Sequence, residues 1–333
     1  MKKGNKNNIL RAAKNAKKDE FYTQLSDIEN ELKHYKNYFN NKIVLCNCDN
    51  PNVSNFSRYF VDNFDKLKLK KIISIGLKNI GSSNFFVYDR DKCNNSAISF
   101  EQIEMKQLNG DGDFRSEESI HFLKEADIVV TNPPFSLFRE YVQQLIDYDK
   151  KFIIVGHQNA ITYKEIFSLI KNNKIWLGYG FKGNSAYFYS SYKDIAVANE
   201  HKKDMIRVSG VTWFTNLDID NRKKEIVLRK KYNPAIYPKY DNYDAININK
   251  TADIPCDYDG IMGVPITFLN RYNPKQFEII GFFNNYNPKT ASIEKGQIYG
   301  NAVKIQTVNS LFRGPVVNGK AVYFRVLIKN KTI

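Results

Sequence analysis

The sequence predicts an α/β protein with a smaller β-rich region at its carboxyl end, and three observations lead there. Residues 127–131 form a short apolar, β-branched run that stops at Asn132-Pro133-Pro134-Phe135; Phe138, Tyr141, Val142, Leu145 and Ile146 then follow at helical spacing. The same strand, turn and helix texture recurs at 42–67 and at 151–170. From about Lys230 onward the apolar runs shorten and turn residues separate them. Neither proline can donate to a sheet ladder, so the central strand must end at the loop. Ser136 stands where a helix cap would be. A strand, a stiff loop and a helix in that order put loop atoms at the carboxyl edge of an α/β sheet, where ligands bind.

In chain order, residues 1–18 come first. They hold Lys2, Lys3, Lys6, Arg11, Lys14, Lys17 and Lys18 with few apolar residues, a basic arm without the makings of a core. Asp19-Glu20-Phe21-Tyr22-Thr23 leads into a helical stripe of Leu25, Ile28, Leu32 and Tyr35. Residues 42–47 read as a strand, 48–51 as a turn, and Ser54 as the cap of a helix carrying Phe56, Phe60 and Leu67. Asn47, Asp49, Asn50 and Asn52 occupy that turn in place of glycines; Asn and Asp tolerate left-handed backbone better than other side chains. A second strand at 71–77 ends on Lys78-Asn79. Two alternating runs, 85–88 and 97–103, predict an inserted hairpin. Gly110-Asp111-Gly112-Asp113-Phe114 is a turn, and Ser116 caps the helix after it, with Glu117 and Glu118 in the first turn. Beyond the central loop, 151–156 is a strand, Thr162 opens a helix, and 175–181 and 208–214 are later strands. His157 has no paired ligand in sequence and reads as an ordinary residue. Tyr232 to Tyr243, with Pro234 and Pro238, suits an extended linker. Short strands follow near 264–269, 277–283 and 321–328.

Composition narrows the class. Hydrophobic content of 42% over 333 residues suits one large domain or two ordinary ones, and no apolar run nears membrane-span length. Four cysteines without a second close pair argue against structural zinc and fit a reduced, cytoplasmic setting. A net charge of +15 favours a polyanionic partner, most often nucleic acid, though a Lys- and Asn-rich coding bias produces the same surplus.

The central loop carries the chemistry. Asn132 offers a side-chain carbonyl, and Pro133 a backbone carbonyl with no N–H beside it; two such acceptors suit a planar amine with two protons. Phe135 offers a face for stacking. The plain alternative is a strand-ending Pro-Pro turn beside a core Phe.

Asn132-Pro133-Pro134-Phe135 resembles motif IV of the amino-methyltransferases, Phe21-Tyr22-Thr23 resembles motif X, and Asp113-Phe114 resembles motif III. Longer runs at 16–25, 43–49, 112–118, 126–141, 163–167, 176–183 and 257–269 resemble the EcoRI-type adenine-specific DNA methyltransferases across nearly the whole chain. The resemblance implies a Rossmann-like S-adenosylmethionine-dependent methyltransferase sheet. It divides the chain into a basic arm (1–18), a catalytic domain (19–230) and a smaller β-rich target-recognition region (231–333). It implies a site-specific enzyme of a type II restriction-modification system. Its expected reaction is N6-methylation of a flipped adenine in double-stranded DNA, at a short palindrome of GAATTC type. By the same resemblance Asn132, Pro133, Pro134 and Phe135 are catalytic. Phe21, Tyr22, Thr23, Cys46, Asn47, Asp49, Asp113, Phe114 and Asn132 bind S-adenosylmethionine, and the enzyme acts as a monomer with no metal and no membrane partner. The acidic residue that usually ends the second strand and binds the cofactor ribose is missing here. Two alternatives use the same loop or shell: an amino-methyltransferase acting on RNA or protein glutamine, and a non-catalytic nucleic-acid-binding protein.

Overall fold

A computed structural model describes residues 22–77, 83–92, 99–189, 205–284, 297–298, 300–305 and 308–331. The basic arm, Asp19, Glu20 and Phe21 lie outside the described residues. The chain divides into two compact units: residues 1–160 with 177–217, and residues 161–176 with 218–333.

The first unit is mixed α/β, built on a large mixed sheet. The strands of that sheet are β2 (Ile43–Cys46), β3 (Lys71–Ile75), β4 (Asn84–Asp89), β5 (Lys106–Gln107), β6 (Ile128–Thr131), β7 (Lys151–His157), β8 (Trp176–Leu177, where the unit boundary falls) and β11 (Val211–Thr215). They run in the order β5-β4-β3-β2-β6-β7-β11-β8. The pairs β3–β2, β2–β6 and β6–β7 are parallel, while β4 and β11 flank them antiparallel. Val44, Leu45, Ile72, Ile73 and Val129 are buried, as central parallel strands covered on both faces require. Successive strands after β2 go to opposite sides of it, β3 on one and β6 on the other. The strand order therefore reverses at β2/β6, the type of crevice where α/β sheets bind ligands.

The helices α1 (Leu25–Leu32), α2 (Asn55–Asp62), α3 (Glu117–Glu125) and α4 (Phe138–Asp147) form where expected. Ser54 and Ser116 cap α2 and α3 by accepting from the Ser57 and Ser119 amides. Ser136 does not cap α4: a 3-10 turn spans Phe135–Leu137, and Leu137 stands at the cap position with no side-chain bond. Phe138, Tyr141, Val142 and Leu145 are buried as the spacing predicts. Gly156 of β7 lets α4 approach closely, because a Cβ there would overlap the Phe138 ring.

Further expectations give way, among them the strand at 264–269, where a 3-10 helix spans Ile266–Arg271. The run at 85–88 is no inserted hairpin but β4 of the main sheet, paired to β3; its second neighbour is β5, and 100–102 is a 3-10 turn. The single strand expected at 208–214 is two, β10 (Met205–Ser209) and β11, because Gly210 turns at φ +76°. β10 joins β9 (Ser185–Tyr189) and β1 (Tyr22–Thr23) in a separate three-stranded sheet, while β11 enters the main sheet. The helix expected from Thr162 is α5 (Lys164–Lys171), entered through Tyr163.

The second unit includes α5 and a five-stranded sheet ordered β12-β13-β20-β14-β15. Its strands are β12 (Ile246–Asn247), β13 (Met262–Val264), β14 (Phe277–Phe283), β15 (Gln297–Ile298) and β20 (Arg325–Asn330). Two short hairpins accompany it: β16 (Val303–Ile305) with β17 (Val308–Phe312), and β18 (Val316–Val317) with β19 (Lys320–Ala321). Residues 232–243 are not a free linker. Tyr237 and Tyr240 are buried, and the Tyr240 hydroxyl donates to Asn247 Oδ1 at 3.0 Å while its ring meets Phe283 edge-on. Aromatic rings this large lower the free energy by leaving water, which overrides the extended preference of the flanking prolines. Among the described residues, no helix is long and apolar enough to cross a membrane.

Candidate active site

The carboxyl ends of β2 and β6 are neighbours, so the segments that follow them meet. After β2 come Asn47, Cys48 and Asp49; after β6 comes Asn132-Pro133-Pro134-Phe135. Asn47 and Asp49 are buried, and so are Asn132 and Pro133. The Tyr141 hydroxyl of α4, fully buried, donates to Asn47 Oδ1. One hydrogen bond thus ties the turn after the first strand to the helix after the central loop. Ser54 Oγ donates to Asp49 Oδ2 at 3.2 Å, closing the turn onto the start of α2. Burial pushes the Cys48 thiol up to about 12, against the neighbouring Thr131 and Tyr141 hydroxyls, so it remains a neutral thiol. Cys46 is buried at the end of β2, and burial raises its thiol well above the usual range too.

Asp113 and Phe114 arrive at the same edge. Gly112 sits at φ +76°, and a Cβ on it would overlap the Gly76 carbonyl and the Ser83 hydroxyl. Gly76 is itself packed against Pro51 with no room for a side chain. Two glycines therefore let the turns after β2, after β3 and before α3 close on one another. Phe114 is buried edge-on against Tyr141, with ring centroids 5.0 Å apart, and its carbonyl accepts from Gln144 Nε2 at 3.0 Å. Arg115 grips the Asp113 carboxylate through Nε at 2.8 Å and Nη2 at 2.6 Å, and its own amide donates to Asp113 Oδ1 at 2.8 Å. That guanidinium holds the carboxyl below the usual carboxylate range.

Thr23 of β1 is buried and joins the site through α2: Asn55 Nδ2 donates to the Thr23 carbonyl at 2.7 Å. Tyr22 pairs with Tyr189 across β1–β9. Phe21, the third aromatic-segment residue, lies outside the described residues. Among the described residues, the buried Thr23 Oγ1 and Asn47 Nδ2 here have no hydrogen-bond partner. Such atoms are costly unless a ligand completes them, at about 1–3 kcal/mol each.

Phe135 is half-buried, and its ring stands 6.3 Å from that of His157, inclined by 66°. His157 ends β7, the strand beside β6. Its Nδ1 accepts from the Asn159 amide at 3.1 Å, and burial lowers its pKa below the usual histidine value, so the ring is neutral. From sequence His157 reads as an ordinary residue and Tyr141 as part of the buried helix face, and Gln144, Arg115 and Asn55 carry no site role there. Only the order of strands in the sheet brings these to the loop; a residue following a strand end was the one signal available for His157.

With this geometry in hand, the class is that of a ligand-binding α/β enzyme whose loops meet at a sheet crossover. The family model for the adenine-specific methyltransferase EcoRI matches residues 9–331, and the chain belongs to that family. Its relatives include the type II methyltransferase M.EcoRI of Escherichia coli, 49% identical over 342 aligned positions and 98% of each chain. The type II methyltransferases M.MgeORF184P of Mycoplasma genitalium and M.MpnI of Mycoplasma pneumoniae are each 39% identical over 331 positions, 96% of this chain. They are covered over 98% and 97% of their own lengths. No solved structure matches. Enzymes of this family methylate adenine and take the methyl group from S-adenosylmethionine.

The site suits that cofactor. It presents buried polar atoms awaiting partners at Thr23 and Asn47, an ionised acceptor at Asp113 and an apolar ring at Phe114.

Proposed function

We propose that this chain is the modification enzyme of a type II restriction-modification system, transferring a methyl group to N6 of an adenine flipped out of duplex DNA within a short palindrome of GAATTC type. The observation that carries the reading is the meeting of Asn47–Asp49, Asp113–Phe114 and Asn132–Phe135 at the carboxyl edge of β2 and β6. It acts as a monomer in the cytoplasm. A Rossmann-like first unit does the catalysis, and the β-rich carboxyl-terminal region recognises the target.

Thr23, Asn47, Asp49, Asp113 and Phe114 would hold S-adenosylmethionine, with Tyr22 and Cys46 beside them and Phe21 adjacent in sequence. Bound there, the cofactor supplies an electrophilic methyl group on a sulfonium. Asp113, ionised, accepts from an adenine amine, and Phe114 packs on that base. The rest falls to the central loop. Adenine N6 is a weak nucleophile because its lone pair is delocalised into the ring. Asn132, through its side-chain carbonyl, and Pro133, through its backbone carbonyl, accept from the two N6 hydrogens and favour the positive charge that grows as the bond forms. Pro134 keeps the loop stiff, so little reorganisation is needed. Holding amine and donor in line is worth on the order of 7–11 kcal/mol, so no strong base is required. Extruding the base costs about a few kcal/mol, partly offset by stacking on Phe135.

The test is Asn132→Ala. Removing one acceptor should slow methyl transfer by about 2.7–4 kcal/mol of barrier, a hundredfold or more, while cofactor binding is retained. Transfer of radiolabelled methyl is measured on duplex DNA, tRNA and protein in parallel. Turnover of the variant at the wild-type rate ends the role of Asn132; wild-type labelling of tRNA or protein in preference to DNA ends the substrate assignment.

A further inference from the structure

In the second unit, residues 222–232 read Arg-Lys-Lys-Glu-Ile-Val-Leu-Arg-Lys-Lys-Tyr. Apart from its first residue, which ends a 3-10 turn, and a single bridge from Lys230 to Pro255, this stretch belongs to no helix or strand. Its backbone is nevertheless held at many points. The Gln276 side chain clasps the Ile226 peptide from both sides: Oε1 accepts from Ile226 N and Nε2 donates to Ile226 O, each at 2.8 Å. Asn273 Nδ2 donates to the Lys223 and Lys224 carbonyls at 3.3 and 3.4 Å. Cys256 N donates to Lys230 O at 2.8 Å, and Tyr232 N to Asp257 Oδ1 at 2.7 Å. Gln276 and Asn273 are both buried.

Its side chains alternate between protein and solvent. Exposure alternates along 225–229: Ile226 and Leu228 are half-buried, while Glu225, Val227 and Arg229 are exposed, Val227 to 71%. That is the period of an extended chain showing one face to solvent. Lys223 and Lys230 are balanced by Asp218 and Asp253. Among the described residues Lys224, Arg229 and Lys231 make no ion pair. An extended chain spaces alternate residues by about 6.6 Å, so Arg229 and Lys231 are cations at a set separation on a fixed backbone. A merely solvated charge run has no need of such fastening, because loops with nothing to present are usually left to move.

From this arrangement we infer that the strap 224–231 is a phosphate-contact track for the backbone of the DNA substrate, with Arg229 and Lys231 each neutralising one phosphate and Val227 lying against sugar. The inference rests on the proposed DNA-methylating function. Phosphate contacts carry no sequence information, so the strap adds affinity without changing which site is preferred.

The test uses the full chain carrying Arg229→Gln and Lys231→Gln together, beside a control with Lys250→Gln and Lys320→Gln, two exposed lysines of the same unit. Binding is followed by fluorescence anisotropy on a target-containing duplex and on a scrambled one, across a salt series. The strap variant should weaken both duplexes by similar factors. Its log–log salt slope should be shallower by about 1.8, so that its deficit against wild type shrinks roughly tenfold between 50 and 200 mM salt. A slope equal to wild type, or the same change in the control, overturns the inference. So does a loss confined to the target duplex, which would make the strap a base reader. Arg229→Lys alone should keep the wild-type slope, and Lys231→Gln alone, should the pair fold poorly, should change it by about 0.9. The wild-type arm separates the two readings: a chain that does not methylate DNA fails the proposed function, whereas one that methylates DNA with an unaltered strap variant fails only the strap.

Discussion

Asp113 performs a local task before any ligand arrives. It accepts from the Arg115 amide two residues on, and the Arg115 guanidinium clamps both its oxygens. A carboxylate has about four lone-pair directions, so the clamp and an incoming amine can be served together. Two substitutions separate the roles. Asp113→Asn keeps an oxygen for the Arg115 amide and so keeps the turn, but loses the charge. Asp113→Ala loses both. If Asp113 receives the cofactor's adenine amine, the alanine variant should bind S-adenosylmethionine at least roughly tenfold more weakly, as expected for a charged hydrogen bond of about 1.5–3 kcal/mol. The asparagine variant should fall between it and wild type. Titration calorimetry decides: unchanged affinity in Asp113→Ala leaves the residue a turn former. The resemblance to motif III pointed to Asp113 and Phe114; Arg115 was in view beside them, but a clamp between residues two apart depends on the turn the backbone takes.

At the scale of elements, Glu31 joins α1 to the turn after β8. It is 1% exposed and accepts from the Tyr35 hydroxyl at 2.8 Å, Tyr179 N at 2.9 Å and Gly180 N at 3.0 Å. Burial nevertheless pushes its pKa up to about 7, with those donors pulling the other way. The raised value means that the folded chain keeps a proton between about pH 4.5 and 7 that the unfolded chain has released. Stability from this group is therefore fully present below about pH 4.5 and is lost as pH rises through about 7, by a few kcal/mol at about 1.36 kcal/mol per unit. Glu31→Gln cannot titrate, and its amide group would face the Gly180 N–H, so it should be less stable than wild type at pH 5. The gap between the two, measured by urea unfolding, should narrow on going to pH 8. A gap that is constant across this range means that Glu31 does not titrate there. Helix α1 was legible from its apolar stripe, but nothing in the sequence ties position 31 to position 179.

At the scale of the molecule, charge dominates. Of a net +15, residues 1–18 hold Lys2, Lys3, Lys6, Arg11, Lys14, Lys17 and Lys18 and no acidic residue. Removing these seven charges takes away nearly half of the excess, so long-range attraction to DNA should fall with it. A truncation beginning at Asp19 is expected to bind target and random duplexes more weakly by similar factors, with a salt slope shallower by about 0.9 for each phosphate given up. Methylation of a saturating target duplex should persist, because Tyr22 and Thr23 remain. Filter binding over a salt series checks this. Full affinity with an unaltered slope would make the segment a solubilising tail, and lost discrimination between sites would mean that it reads bases.

Local order along the chain was decided by the sequence itself. The strands at 43–46, 71–75, 128–131 and 151–157, the Ser54 and Ser116 caps and the stiff Pro-Pro loop all follow from hydrophobic period, capping chemistry and the fixed φ of proline. These are interactions between near neighbours, so composition and spacing suffice to read them. Strand order was a matter for the tertiary structure alone. It made 85–88 a main-sheet strand, sent the two halves of 205–215 to different sheets at Gly210, drew Tyr237 and Tyr240 into a core, and set His157 beside Phe135 and Tyr141 against Asn47. Those contacts join residues from about ten to more than ninety apart. Their free energy comes from burying surface that becomes shared only once the sheet has assembled, and no local pattern encodes which surfaces will meet.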